Sequence, residues 1–217
     1  LPEGSTYKYI DSDFDFSLQN NLGEIEEVHT YENNEKSIID KIDELFKYVK
    51  GALFVIIEAP AGFGKTCTAN EILNKITLEN SKRLPFFTEL SRNREARVFK
   101  HILLNEIDNQ FPNGIKQKVV LEQIYQGRIP LIIDGFDELI TKDSNKEDVE
   151  SMLSTIVDLL KNNAKIIITS RKTAILNSTE FIDTIFNSID DFNIARFEIK
   201  DPTINNWLSD ERLELIN

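Results

Sequence analysis

The sequence predicts an α/β fold of three layers, in which a parallel five-stranded sheet is flanked by helices. Three observations predict it. Apolar runs at 53–57, 84–87, 129–133, 166–168 and 194–199 alternate with helical patterns at 65–77, 95–110, 117–125, 146–161 and 203–216, and such alternation requires crossover connections. A glycine-bearing loop joins the first of these runs directly to a helix. Three carboxylates follow one later run and an arginine follows another, on the ends that a parallel sheet presents together.

Along the chain, residues 1–33 mix Asp11, Asp13, Asp15, Glu24, Glu26, Glu27 and Glu32 with Tyr7, Tyr9, Phe14 and Phe16 and show no sustained period. They read as an acidic linker or an edge extension. From Glu35 the apolar positions Ile38, Ile39, Ile42, Leu45, Phe46 and Val49 recur at three and four residues, the stripe of a helix that packs on a core. Residues 34–217 then read as one domain. Ser144 with Glu147 fits a capping box, and Asp201 before Pro202 fits an N-cap with proline at the first helical position. No internal repeat or low-complexity segment occurs.

The 217 residues suffice for one substantial core. The only cysteine, Cys67, has no internal disulfide partner, and no apolar run reaches the roughly eighteen residues of a membrane span. A reducing, cytoplasmic compartment is therefore expected. The chain opens on Leu1 without a charged-then-apolar leader, which reads as a piece excised from something longer. The net charge is −12, and the first fifty residues hold twelve acidic side chains against five basic ones. Such a surface repels a phosphate backbone, so direct nucleic-acid binding is not expected.

After the run 53–57 come Ala59, Pro60, Ala61, Gly62, Phe63, Gly64, Lys65 and Thr66, and then a helix. This is the Walker A pattern in its strand-to-helix setting. Gly62 and Gly64 let successive backbone N–H groups of Ala61 to Cys67 close around phosphate oxygens, with the helix N-terminus adding its dipole. Lys65 would reach the β- and γ-phosphates, and the Thr66 hydroxyl would hold magnesium. Ala59 stands where the first glycine usually sits. Cys67 reads as a small core residue rather than a redox site.

The run ending in Leu131-Ile132-Ile133-Asp134 continues into Gly135-Phe136-Asp137-Glu138. A parallel strand carries Asp134 to the ligand crevice, where it would hold magnesium through water. Gly135 permits close backbone approach, leaving Asp137 or Glu138 to orient and deprotonate an attacking water. A third strand ends in Thr169-Ser170-Arg171, and Arg171 would detect or stabilise γ-phosphate charge. His29 and His101 lack partners at ligand spacing, Arg92, Arg94 and Arg97 read as a solvated helix start, and Glu58 has no assigned role.

The loop, the Asp134/Gly135/Asp137/Glu138 motif and the Thr169-Ser170-Arg171 end together resemble the NACHT family of P-loop NTPases. The helix at 119–128 and the strand at 196–199, followed by a helix with Trp207 and Leu208, are also similar, so the resemblance covers roughly 35–217. It implies a P-loop NTPase fold with strand order 2-3-1-4-5 in the family's numbering and the strand 166–168 between the two motif strands. It further implies a STAND-class switch that binds ATP (or GTP) with Mg2+ and self-oligomerises on activation. The sensor and effector parts would lie outside this chain. Relatives of that class serve animal innate immunity and bacterial antiphage defence.

Two other readings stay open. A remodelling ATPase of the AAA+ class would share the loop but usually places a glutamate directly after the Walker B aspartate, where Gly135 stands here. A non-catalytic module would hold nucleotide for structure alone, against which the intact Lys65, Thr66, Asp134 and Glu138 argue. A small GTPase would need an Asn-Lys-x-Asp motif and a transporter ATPase a Leu-Ser-Gly-Gly-Gln-type signature, and neither occurs.

Overall fold

The computed structural model describes residues 9, 11–33, 35–79, 85–89, 99–110, 116–138, 154–171 and 192–200. Its elements are β1 (Phe14–Gln19), β2 (Ile25–Tyr31), α1 (Ile38–Tyr48), β3 (Ala52–Glu58), α2 (Lys65–Glu79), β4 (Phe86–Glu89), α3 (Phe99–Gln110), α4 (Gln117–Tyr125), β5 (Leu131–Asp134), a 3-10 turn (Phe136–Glu138), β6 (Lys165–Ser170) and β7 (Phe192–Ile199). Within the pattern read at 146–161, residues 154–157 are helical. The capping signals at Ser144, Glu147, Asp201 and Pro202, the arginines 92, 94 and 97, and Trp207 with Leu208 lie outside the described residues.

The sheet has seven strands in the order β2-β1-β7-β3-β6-β5-β4. This corrects the expected purely parallel five-stranded sheet. β3 to β7 are parallel, but β1 pairs antiparallel with both β7 and β2. The reason is an alternation in the acidic N-terminal segment: Phe14, Phe16 and Leu18 are buried while Asp15, Ser17 and Gln19 between them are not, the period of a half-buried strand. Between β1 and β2 the Asn20 Oδ1 accepts from the N–H groups of Leu22 (3.0 Å) and Glu24 (2.9 Å), and Gly23 takes φ 80°. A turn of this chemistry needs asparagine and glycine at those places.

The strand order is also corrected. Counted along the chain, the five parallel strands lie 5-1-4-3-2 across the sheet rather than 2-3-1-4-5, because the chain leaves β3 for the far edge and returns through β5 and β6. β6 does lie between β3 and β5, as expected for the strand 166–168.

β3, β5 and β6 are buried throughout, so their near-continuous apolar runs fit strands covered on both faces. One face packs Phe54, Ile56, Ile133 and Ile168 against Phe99, Leu103 and Ile107 of α3 and Ile124 of α4. The other packs Val55, Ile57, Ile132 and Ile167 against Ile38, Ile42 and Leu45 of α1 and Ala69 and Ile72 of α2. α1 starts where expected: the Ser37 hydroxyl accepts from the Asp40 N–H at 3.0 Å, satisfying one of the free donors of the first turn.

Candidate functional site

The carboxyl ends of β3, β5 and β6 meet at one rim of the sheet. β3 runs through Glu58 and buried Ala59 into the loop, whose entry is tied to the neighbouring strand by the Ala59 N–H bond to the Ser170 carbonyl (3.2 Å). Complete burial of Ala59 explains a small residue in the first glycine's place. Gly62 and Gly64 take φ 84° and 80°, conformations in which a side chain is strained. A Cβ at either would meet nothing within 4 Å, so the loop is open at both glycines. Ala61 is exposed, whereas Phe63 is half-buried against the core face that holds α1 and α2.

Lys65 opens α2, and its ammonium donates to the Ala59 and Pro60 carbonyls at 3.0 and 3.1 Å. One residue on, the Thr66 hydroxyl donates to Asp134 Oδ2 at 2.8 Å. The Walker A hydroxyl and the β5 carboxylate, 68 positions apart in sequence, thus share one point. Thr169 on β6 donates to the other oxygen, Oδ1, at 2.5 Å and accepts from the Gly135 N–H at 3.0 Å. Asp134 is buried, and both of its carboxylate oxygens accept from these hydroxyls.

The next acidic residue, Asp137, is held by Arg171: Arg171 Nε lies 2.8 Å from Oδ2, and the Arg171 N–H donates to Oδ1 at 3.1 Å. The Asp137 side chain is only 8% exposed, against 55% for Arg171. The backbone of Glu138 closes the 3-10 turn; its side chain lies outside the described residues. Cys67 is a half-buried free thiol on α2. On the opposite face of the sheet, Glu58 is buried and ion-paired with Arg196 of β7 at 3.3 Å.

Two residues have contacts that escape sequence reasoning. Thr169 is one: the sequence puts it on a strand end facing the crevice but does not say which carboxylate its hydroxyl meets. Tyr9 is the other: its hydroxyl bonds Thr68 on α2, and burial first, then the carboxylates of Asp11 and Glu71, push its pKa up to about 12. Tyr9 therefore packs against the helix that follows the loop.

These residues suit a magnesium-bound nucleotide. Thr66 and Asp134 supply hard oxygen donors at one point beside an open glycine loop. Among the described residues no cluster of three or more His, Cys, Asp or Glu side chains could hold a metal unaided. A magnesium ion held by one or two protein oxygens and completed by phosphate and water fits that sparse set.

A buried parallel sheet, a glycine loop between strand and helix, a lysine and a hydroxyl opening that helix, and a buried aspartate within reach of the hydroxyl define a P-loop NTPase. The NACHT domain profile matches residues 53–201, more than half of the chain, and the chain belongs to the NACHT family. Among solved structures it is similar to the ORC2 protein of Aeropyrum pernix in its ADP form, at 14% identity and a TM-score of 0.50, over 85% of this chain and 54% of that one. It is also similar to Cdc6p from Pyrobaculum aerophilum, at 13% identity and a TM-score of 0.42, over 72% of this chain and 42% of that one. The chain thus spans about half the length of these two proteins, and the first likeness speaks to the fold alone. No curated protein matches the chain by sequence. No helix among the described residues is long and apolar enough to cross a membrane.

Proposed function

We propose that this chain is the Mg2+-dependent ATP-binding and ATP-hydrolysing switch domain of a STAND-class signalling protein, of innate-immune or antiphage-defence type, acting in the cytoplasm. The observation that carries the proposal is the meeting of Thr66 and Asp134 at 2.8 Å beside the open loop. Lys65 would release its two carbonyl bonds to take the β- and γ-phosphates, while the loop N–H groups hold the remaining oxygens. Thr66 and, through water, Asp134 would hold the magnesium, whose charge offsets that building on the phosphates during cleavage.

Arg171, which follows β6 and is bonded to Asp137, would answer to γ-phosphate charge. Asp137 has both oxygens engaged by Arg171. In this reading Asp137 holds the arginine, and Glu138, the following carboxylate of the motif, would deprotonate the attacking water. Nucleotide state would govern self-oligomerisation and, through sensor and effector parts beyond this chain, the output. ATP is favoured over GTP because no Asn-Lys-x-Asp base-reading motif is present. The remodelling AAA+ reading is weaker because Gly135 occupies the place of the usual glutamate.

The test is binding of a fluorescent ATP analogue to the chain with and without Mg2+, alongside Lys65→Ala. Saturable, Mg2+-strengthened binding is expected, weakened at least tenfold by the substitution, because a lost charged hydrogen bond is worth about 1.5–3 kcal/mol. The fold should survive, since Lys65 serves the loop rather than the core. Equal affinity in the variant would remove the assignment.

A further inference from the structure

We infer that Thr169 is the positioning residue that aims the Asp134 carboxylate and thereby sets the Mg2+ affinity of the site; this inference rests on the nucleotide-binding reading above. A threonine hydroxyl carries one proton. Thr169 donates that proton to Asp134 Oδ1 (2.5 Å) and accepts the Gly135 N–H (3.0 Å) on its own oxygen, so both partners together fix its rotor. Asp134 in turn cannot swing without breaking a charge-assisted bond, and Oδ2 is left as the oxygen that faces Thr66 (2.8 Å).

The anchor is rigid. Thr169 is fully buried on β6, where it is in register with Ile57 of β3. Its neighbours in sequence cannot replace it. Arg171 is engaged with Asp137, and Ser170 alternates to the opposite face of the strand. Groups that orient a metal-binding carboxylate commonly change metal affinity by about 10- to 100-fold when lost.

The test titrates a fluorescent ATP analogue into the full chain across a Mg2+ series and in EDTA, for the parent, Thr169→Val, Thr169→Ala and Thr169→Ser. Valine keeps the shape and removes the hydroxyl, serine keeps the hydroxyl, and alanine gives the same readout should valine not fold. The Mg2+ concentration at half-effect should rise about tenfold in the valine and alanine variants, with affinity in EDTA unchanged and serine restoring the parent value within about twofold. A merely structural role would instead lower the melting temperature and leave the Mg2+ midpoint in place, overturning the inference. So would a serine variant no better than valine. A parent chain that binds no nucleotide under either condition overturns the reading of the site as well.

Discussion

Arg171 makes two bonds to a single carboxylate, one from its side chain and one from its backbone, and this shapes what its loss should do. A γ-phosphate presents three acceptor oxygens and a higher charge than Asp137, so the half-exposed guanidinium can move to it while the Arg171 N–H keeps its hold on Asp137. Arg171→Ala should therefore narrow the affinity difference between ATP and ADP by about tenfold, the worth of one charged hydrogen bond. Lysine should not restore it, because a point charge does not reproduce the planar fork. Calorimetric titration of both nucleotides decides the matter: unchanged discrimination in a folded alanine variant removes Arg171 from the sensor role. The site's outline was legible in the sequence because Lys65, Thr66 and Asp134 sit at fixed offsets from a loop and a strand end. The pairings Thr169 to Asp134 and Arg171 to Asp137 were not, because they depend on how far β5 and β6 extend beyond their shared register.

At the scale of elements, the β1–β2 hairpin shows where reading the sequence stops. Phe14, Phe16 and Leu18 alternate visibly, but the surrounding carboxylates and the lack of a long apolar run resemble a solvated linker. What fixes the hairpin is a contact 14 residues away: Lys41 of α1, 2% exposed, donates to both Glu27 oxygens (2.8 and 3.0 Å) and to Glu44 (3.1 Å), and sits 4.6 Å from the Phe16 ring centre. Burial works against its charge, yet the bonds to Glu27, Glu44 and Tyr31 hold its pKa above the ordinary lysine value. Glu44, which also pairs with Lys36, is held below the ordinary carboxylate range mainly by that lysine. A raised lysine stabilises fully below its unfolded value and fails as pH rises through the folded one; a lowered glutamate fails as pH falls through its folded value. The network is thus intact across neutral pH. The side chains of Glu27 and Glu44 are 37% and 35% exposed, so losing the lysine leaves carboxylates that water can reach. Losing both carboxylates strands a buried ammonium. Lys41→Met should cost about 1 kcal/mol or less, and Glu27→Gln with Glu44→Gln about 3–5 kcal/mol, in urea unfolding at pH 7. Equal costs would show that burial is not what sets the asymmetry.

For the whole molecule, the question is whether the site closes by itself. The glycine loop is open around Gly62 and Gly64, Thr66 is exposed, and Arg171 is more than half exposed. On the proposed reading, closing such a site for hydrolysis would need surfaces brought by other parts or other copies. The net charge of −12 also argues against a nucleic-acid strand as the closing partner. The chain alone should therefore turn ATP over slowly, on the order of 10⁻³ s⁻¹ or below, as P-loop proteins do without a completing arginine. Glu138→Gln should lower that residual rate by about 10²-fold or more while leaving ATP affinity within experimental scatter, because a general base acts in the transition state and not in ground-state binding. Single-turnover hydrolysis and equilibrium binding on the same preparations separate the two effects. A glutamine variant that lost affinity along with rate would place Glu138 among the binding groups. Rapid multiple turnover by the parent chain, with no trigger and no change in oligomeric state by light scattering, would instead make the molecule an engine whose site is complete within one copy.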